Sequence, residues 1–470
     1  MKSLHGQLWH NSDFLKLWFG QTISDLGSAL SGVALPLVAI MTLHVSSVEM
    51  GLLQALNTLP VLLFGMFVGV WVDRVQRRPL MIVAQFGQAL VWVIIPGAAL
   101  LGWLRIEFLY GVTFVAGSLA LIFDLAATSL IPNVVGRDNL VEGNARFQLS
   151  HSVISIAGPG LAGMLVQLMT APLVIAFDAL SFFISGIWLL RIRTTEAPTV
   201  SNAQRTTGVW HEIVEGWHTV FRDPVLAPMT IGTAIASCAS AVQGAVFLLF
   251  LTQNLQITPT WLGLILASAG IASLLGAVVA RPLVQRIGAG LALIGMACLE
   301  LLGMTIIPLV ARLGSFSVPV LIVAQMLISG GLTVFSITQI SVRQARTPNH
   351  LLGRVNACRR VLVFGIVPIA ALLGGFGGKM FGFPATLWVG AIIMLLALLW
   401  LWFSPLRHLS SQPAPSPEKA ENSARQPIIT KLICHLFEPL RDPVLALFGW
   451  PMPQLCYARR QEVYLPNLLA

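Results

Sequence analysis

Twelve apolar segments, each about as long as a bilayer is thick when helical, constrain this chain more than any other feature. A membrane-crossing helix needs roughly 20 mostly apolar residues. Residues 17–43, 51–72, 80–104, 108–131, 147–170, 171–190, 225–251, 260–280, 291–311, 316–342, 361–378 and 380–404 each supply such a run. None shows the two-residue alternation of a transmembrane barrel, so all read as helices. Composition agrees: 56% of the 470 residues are hydrophobic and 10% charged, against about 25% charged in soluble domains. That balance argues against a soluble enzyme, a secreted disulfide scaffold and a disordered chain. The first run is too long for a signal-peptide core and carries an acid, so it is expected to remain as a span.

The formal net charge of +9 raises the question of nucleic acid, and the placement of the charge answers it. With residue 1 inside, all of the 28 Lys and Arg except Arg105, Arg312 and Lys379 fall on the cytoplasmic side or in the tail. That is the positive-inside pattern. The expectation is a multi-pass cell-membrane protein with both termini cytoplasmic, a lipid bilayer as its surroundings and no nucleic-acid partner. Five scattered cysteines, no CxxC pair and no histidine cluster give no reason to expect a metal or a cofactor. No Gly-x-x-x-x-Gly-Lys loop or nucleophile elbow points to ATP-driven pumping or to an enzyme.

The chain repeats itself at an offset of 212 residues. Gly20, Gly32, Gly51-Leu52, Arg74, Asn144-Ala145 and Gly163 recur as Gly232, Gly244, Gly263-Leu264, Arg286, Asn356-Ala357 and Gly375. A shared offset from the first span to the fifth implies two units of one topology. The expected fold is all-α: twelve transmembrane helices in two six-helix bundles related by the repeat, at residues 1–190 and 225–404. Residues 191–224 would form a cytoplasmic connector whose Trp210, Val214, Trp217 and Phe221 make an amphipathic surface helix. Residues 405–470 would form a partly disordered cytoplasmic tail, in which Arg441-Asp-Pro-Val-Leu-Ala echoes Arg222-Asp-Pro-Val-Leu-Ala.

Two motifs carry more than hydrophobicity. Between the second and third spans stands Gly69-Val-Trp-Val-Asp73-Arg74-Val-Gln-Arg77-Arg78, where an acid can serve a helix end and a basic run can rest on anionic headgroups. In the fifth span stands Gly158-Pro159-Gly160-Leu161-Ala162-Gly163, where a proline kinks the helix between residues small enough for close packing. The first resembles the loop signature Gly-x-x-x-Asp-Arg-x-x-Arg-Arg of the major facilitator superfamily, departing only where Gln76 replaces a common glycine. The second is similar to the Gly-Pro-x-x-Gly-Gly core of that superfamily's antiporter motif, departing at Ala162 and at the upstream glycine position, which is Ile154. Asn11-Ser-Asp-Phe-Leu-Lys-Leu-Trp, Arg137-Asp-Asn-Leu-Val-Glu-Gly-Asn-Ala and Asp178-Ala-Leu-Ser-Phe resemble the drug:proton antiporter branch that includes macrolide efflux proteins and the enterobactin exporter. The resemblance runs over about residues 14–404. It implies a monomeric secondary transporter exchanging a small molecule for protons, with Gly69, Asp73, Arg74, Arg77 and Arg78 as a gating loop and Gly158, Pro159 and Gly163 as an antiporter-type kink.

Apart from His151, the spans as drawn hold four ionisable residues, Asp25, Asp124, Asp178 and Glu300, and no Lys or Arg. An acid at a span centre costs about 2.5–3.5 kcal/mol on insertion scales, so each asks for a purpose. Gln21, Asp25, Ser28 and Gly32 lie on one helical stripe, the pattern of a face lining a wet cavity. Asp178, Ser181 and Ser185 make a second stripe. Asp25, Asp178, Glu300, Asp124 and Gln21 are therefore the candidates for proton coupling or substrate contact, with Asp124 as a partner for a cytoplasmic arginine. The functional expectation is proton-coupled efflux of a hydrophobic drug-like or natural-product compound. The alternatives are export or symport of a defined metabolite such as a siderophore and, in another class, a non-transporting membrane sensor.

Overall fold

The computed structural model describes residues 11–135, 140–193, 217–347 and 351–409. Twelve long helices run through them: α1 (Ser12–Leu37), α2 (Ser47–Arg74), α3 (Arg77–Leu100), α4 (Ile106–Val135), α5 (Leu140–Leu168), α6 (Ala171–Leu190), α7 (Leu226–Leu249), α8 (Pro259–Ile287), α9 (Ala289–Leu309), α10 (Ser317–Arg346), α11 (Leu352–Phe381) and α12 (Phe383–Trp402). No strand occurs among the described residues. Each of the twelve contains a stretch long and apolar enough to cross a membrane. Side chains such as Leu90, Leu100, Ile369 and Met380 stay exposed on the outside, as expected where lipid rather than water is the solvent. The expected tail beyond residue 409, with its Arg441 echo, and Trp210 and Val214 of the connector lie outside the described residues.

Helix ends are fixed by named side chains. Asn11 Oδ1 accepts from the amides of Asp13 (3.1 Å) and Phe14 (3.0 Å), capping α1, while its Nδ2 donates to the Val134 carbonyl at 2.9 Å. Ser46 and Glu49 form a capping box on α2, satisfying two amides reciprocally. Arg78 donates to the carbonyls of Leu189 (3.2 Å) and Leu190 (2.8 Å), so part of the basic run between α2 and α3 closes the end of α6. Asp223 accepts from the amides of Val225 (2.7 Å) and Leu226 (3.0 Å) and pairs with Arg346 at 3.1 Å. Asp223→Ala removes a cap and an ion pair together and is expected to cost about 1–2 kcal/mol, read as a lower unfolding midpoint of the purified protein in detergent.

The repeat is present in the backbone itself. α1 and α7 both end in a π turn, Val38–Thr42 and Phe250–Asn254, and those spans are 212 residues apart. The left-handed residues His44 (φ 50°) and Gln256 (φ 53°) hold the same offset, as do Gly102 (φ 71°) and Gly314 (φ 51°).

The two halves meet through crossed pairs: α2 packs along α11, and α5 along α8. At the end of the bundle away from the first residues, glycines let these backbones touch. A Cβ on Gly51 would stand 2.6 Å from the Ala371 carbonyl oxygen and 3.0 Å from Gly375 Cα. A Cβ on Gly263 would stand 2.5 Å from the Pro159 carbonyl oxygen and 3.0 Å from Gly163 Cα. Gly51 and Gly263 are repeat mates, and so are Gly163 and Gly375, so the recurrent glycines of the sequence are the two symmetric clasps. The apolar core follows the same plan. At the clasped end one continuous cluster joins both halves, with Ala162 and Val166 beside Leu262 and Ile265. Toward the other end it divides into one cluster around Phe14, Leu17 and Met81 and another around Leu226, Leu293 and Leu401. The halves are thus closed against each other at one end and separately packed at the other.

Candidate functional site

A pocket of ≈430 Å³ opens in the second half, within the usual range for small-molecule sites. Thr233, Ser237 and Ser240 of α7 line one side, Glu300 of α9 the floor, Phe335, Ser336 and Gln339 of α10 another wall, and Arg359, Val363 and Phe364 of α11 a third, with Gln54 of α2 reaching in from the first half. Polar side chains within it interact: Gln339 Nε2 donates to Thr233 Oγ1, and Ser240 lies close enough to Glu300 to act on its carboxyl. Glu300 is 3% exposed and is among the residues that line the pocket.

The repeat shows what the other half places opposite. Subtracting 212, the pocket residues Thr233, Ser237 and Ser240 become Gln21, Asp25 and Ser28, while Ser336 and Val363 become Asp124 and His151. The sequence-predicted stripe on α1 therefore occupies the position of a pocket wall. Its setting agrees: Ser28 and Gly32 are exposed, Asp25 is half-buried, and no atom stands within 4 Å of a Cβ built on Gly32. Three helices bring charge together here. Asp25 on α1 lies within electrostatic reach of His151 on α5 and Asp124 on α4, and Asp124 within reach of Arg360 on α11. Sequence reading named Asp25 and Asp124 separately. Only the folded bundle joins them, with His151, into one cluster facing a base from the opposite half.

Asp178 has different surroundings. It is fully buried where α6 crosses α1, and Ser181 donates to its Oδ1 at 3.2 Å. A Cβ on Gly27 would collide with Asp178 Oδ1 and Ser181 Oγ. The second half holds the reciprocal arrangement: Gln243 of α7 donates to the carbonyls of Met304 (3.1 Å) and Leu387 (2.8 Å) and fills the space left by Gly390, the repeat mate of Asp178. In each half one polar side chain crosses to a glycine on the facing helix, which is a way to bolt two helices together.

In the kink motif, a Cβ on Gly158 would press the Ala29 methyl of α1 at 2.6 Å, and the next turn carries the Gly163 clasp. The motif thus serves two close packings around Pro159. In the loop motif, Arg78 caps α6 as above and Arg77 is half-buried. The side chains of Gly69, Asp73 and Arg74 lie outside the described ones.

The helices run on past the spans as drawn: α10 continues to Arg346 and α11 begins at Leu352. Arg343 is 7% exposed, and Arg359 lines the pocket. Sequence reasoning assigned both to positive-inside anchoring. The signal that could have marked them is their break with the repeat, since their mates are Ile131 and Phe147.

Comparison with known proteins is consistent with this architecture. The profile described as transmembrane secretion effector matches residues 8–445. The enterobactin exporter of Escherichia coli (strain K12) is 25% identical over 403 residues, covering 85% of this chain and 94% of that protein. The enterobactin exporter of Salmonella typhimurium is 25% identical over 421 residues, covering 86% and 95%. Among solved structures, a bacterial homologue of the iron transporter ferroportin superposes with a TM-score of 0.69 at 17% identity, covering 83% of this chain and 98% of that one. A nucleoside transporter superposes with a TM-score of 0.66 at 11% identity, covering 83% and 98%.

Proposed function

Since the chain belongs to the transmembrane secretion effector family of major facilitator transporters, we propose that it exports a defined small metabolite of the siderophore kind in exchange for protons. What supports this reading is the second-half pocket taken together with the acid and histidine cluster that the repeat sets at the equivalent place in the first half. One half presents a pocket of drug-like size lined by hydroxyls, an amide and aromatic rings. The other presents the Asp25–Asp124–His151 cluster at the symmetry-equivalent position. Ionisable groups inside spans commonly mark proton pathways, and these carboxyls supply groups that can bind and release a proton as the halves move. The glycine clasps give the motion its geometry: two rigid bundles closed at one end can rock about the midplane and open there. With the charge bias taken as orientation, the clasped end is the outer one and the cavity is presented to the cytoplasm, where an exported metabolite is made. In this reading the loop of Gly69, Asp73, Arg74, Arg77 and Arg78 serves as the gate, while Asp178 is a bolt within its bundle. Monomeric function suffices, because each chain holds both halves.

Relatives named as enterobactin exporters support the metabolite reading over the efflux of hydrophobic drugs. The test is accumulation in inside-out vesicles energised by a proton gradient, with a catecholate siderophore and a macrolide offered in parallel. Accumulation of the siderophore that an uncoupler abolishes is the expected outcome. Accumulation of the macrolide alone restores the drug reading, and movement unaffected by the uncoupler removes proton coupling.

A further inference from the structure

We infer that the mouth of the second-half pocket is an anion-recognition site in which Arg343 and Arg359 take the acidic group of an amphipathic organic anion, the aromatic remainder lying against Phe335 and Phe364. The inference rests on the reading that this pocket holds the cargo, and it names the cargo's charge.

The argument starts from unsatisfied donors. Nε and Nη1 of Arg343 and Nε of Arg359 are buried and have no hydrogen-bond partner. Arg343 is 7% exposed, and it stands one helical turn beyond Gln339, a pocket residue. Arg359 lines the pocket directly. The two guanidinium groups lie within electrostatic reach of each other, and Arg359 within reach of Arg360. Among the described residues no carboxylate makes an ion pair with Arg343 or Arg359. The acid of the pocket, Glu300, has Ser240 beside its carboxyl, and the acid near Arg360 is Asp124 of the other half.

A buried charge without a partner is destabilising, and a guanidinium with free donors in a fixed fork is suited to a carboxylate or other planar oxyanion. Arginines serving only as membrane anchors extend toward headgroups and water, which the burial of Arg343 contradicts. Arg343, buried, and Arg359, partly buried and lining the pocket, lie within electrostatic reach of each other and leave donors that an entering anion can satisfy. The pocket's rings and aliphatic side chains then require that the anion carry an apolar body. An anionic lipid headgroup offers the same oxyanion chemistry, so the test separates the two sources.

The full-length protein in phosphatidylcholine nanodiscs is titrated with 2-naphthylacetate and with its uncharged amide, following tryptophan fluorescence. The expected result is a preference for the carboxylate of about tenfold or more, lost in Arg359→Gln and Arg343→Gln and partly kept in Arg359→Lys, which retains the charge without the fork. Arg359→Lys also separates lost recognition from lost folding. Equal affinity for acid and amide in the native protein overturns the inference. So does carboxylate binding that vanishes in phosphatidylglycerol nanodiscs, which assigns the arginines to a lipid. Binding requires no gradient. Carboxylate preference in a protein that accumulates nothing would therefore overturn proton-driven export and leave this site standing, and uncoupler-sensitive export without the preference would do the reverse.

Discussion

Asp25→Asn is expected to abolish proton-driven accumulation in inside-out vesicles while leaving downhill exchange of labelled for unlabelled substrate intact. The substitution keeps the shape of the side chain and removes only its ability to bind and release a proton. Asp25 is the member of the cluster on the α1 stripe, half-buried, with His151 and Asp124 near it on two other helices. One proton moving through 100 mV supplies about 2.3 kcal/mol, enough for a gradient of roughly 40-fold. The variant should fall to no gradient at all. Exchange needs the cavity to alternate but does not need a net proton, so retained exchange shows that the fold and the pocket survive. Native accumulation in Asp25→Asn would remove this residue from coupling. Loss of exchange together with accumulation would make it a packing or substrate residue instead.

The second large effect concerns the clasps, and it predicts opposite signs for one chemical change. Gly263→Ala puts a methyl 2.5 Å from the Pro159 carbonyl oxygen, and Gly375→Ala puts one 2.6 Å from the Ser47 carbonyl oxygen. Both obstacles are backbone on the opposing half, so the helices must separate rather than a side chain turn aside. Overpacking of this kind costs about 1–3 kcal/mol, and that cost falls only on the clasped state. It corresponds to a shift of about 5- to 150-fold in the population of that state. Each variant should lower the unfolding midpoint and cut transport by about tenfold or more. Gly97→Ala is the control: no atom stands within 4 Å of its added Cβ, and replacing glycine inside a helix gains up to about 1 kcal/mol. It should be neutral or stabilising and transport normally. If Gly263→Ala and Gly97→Ala behave alike, the clasps are not what closes that end.

The uneven legibility of the site has a physical basis. Asp25 was visible because Gln21, Asp25, Ser28 and Gly32 recur at helical spacing, and a polar stripe on an apolar helix needs only one helix to be seen. Glu300 was visible as an unmatched acid, but whether it met a cavity or a neighbouring helix depended on the rotation of α9 against α7. Asp178 also sat on a polar stripe in sequence, in a setting that suited a structural role as well as a functional one. Its difference lies in Gly27, on another helix, whose missing side chain makes room for it. His151, a lone histidine in sequence, gains meaning from α1 and α4 beside it.

What the sequence determined by itself is the helical fold and its symmetry. Hydrophobic length, the lack of alternation and the 212-residue offset are properties of local pattern, and water, lipid and backbone hydrogen bonding act on local pattern directly. Hence the twelve helices and the recurrent glycines that became clasps were present in the linear text. Tertiary structure alone decided which charges face one another. Arg343 and Arg359 belong by composition to the positive edge of the membrane, and they turn inward because α10 and α11 extend past their apolar runs and cross beside α7 and α9. A side chain's partners are set by helix rotation and crossing, which depend on all the packed surfaces together, and no stretch of sequence contains those alone.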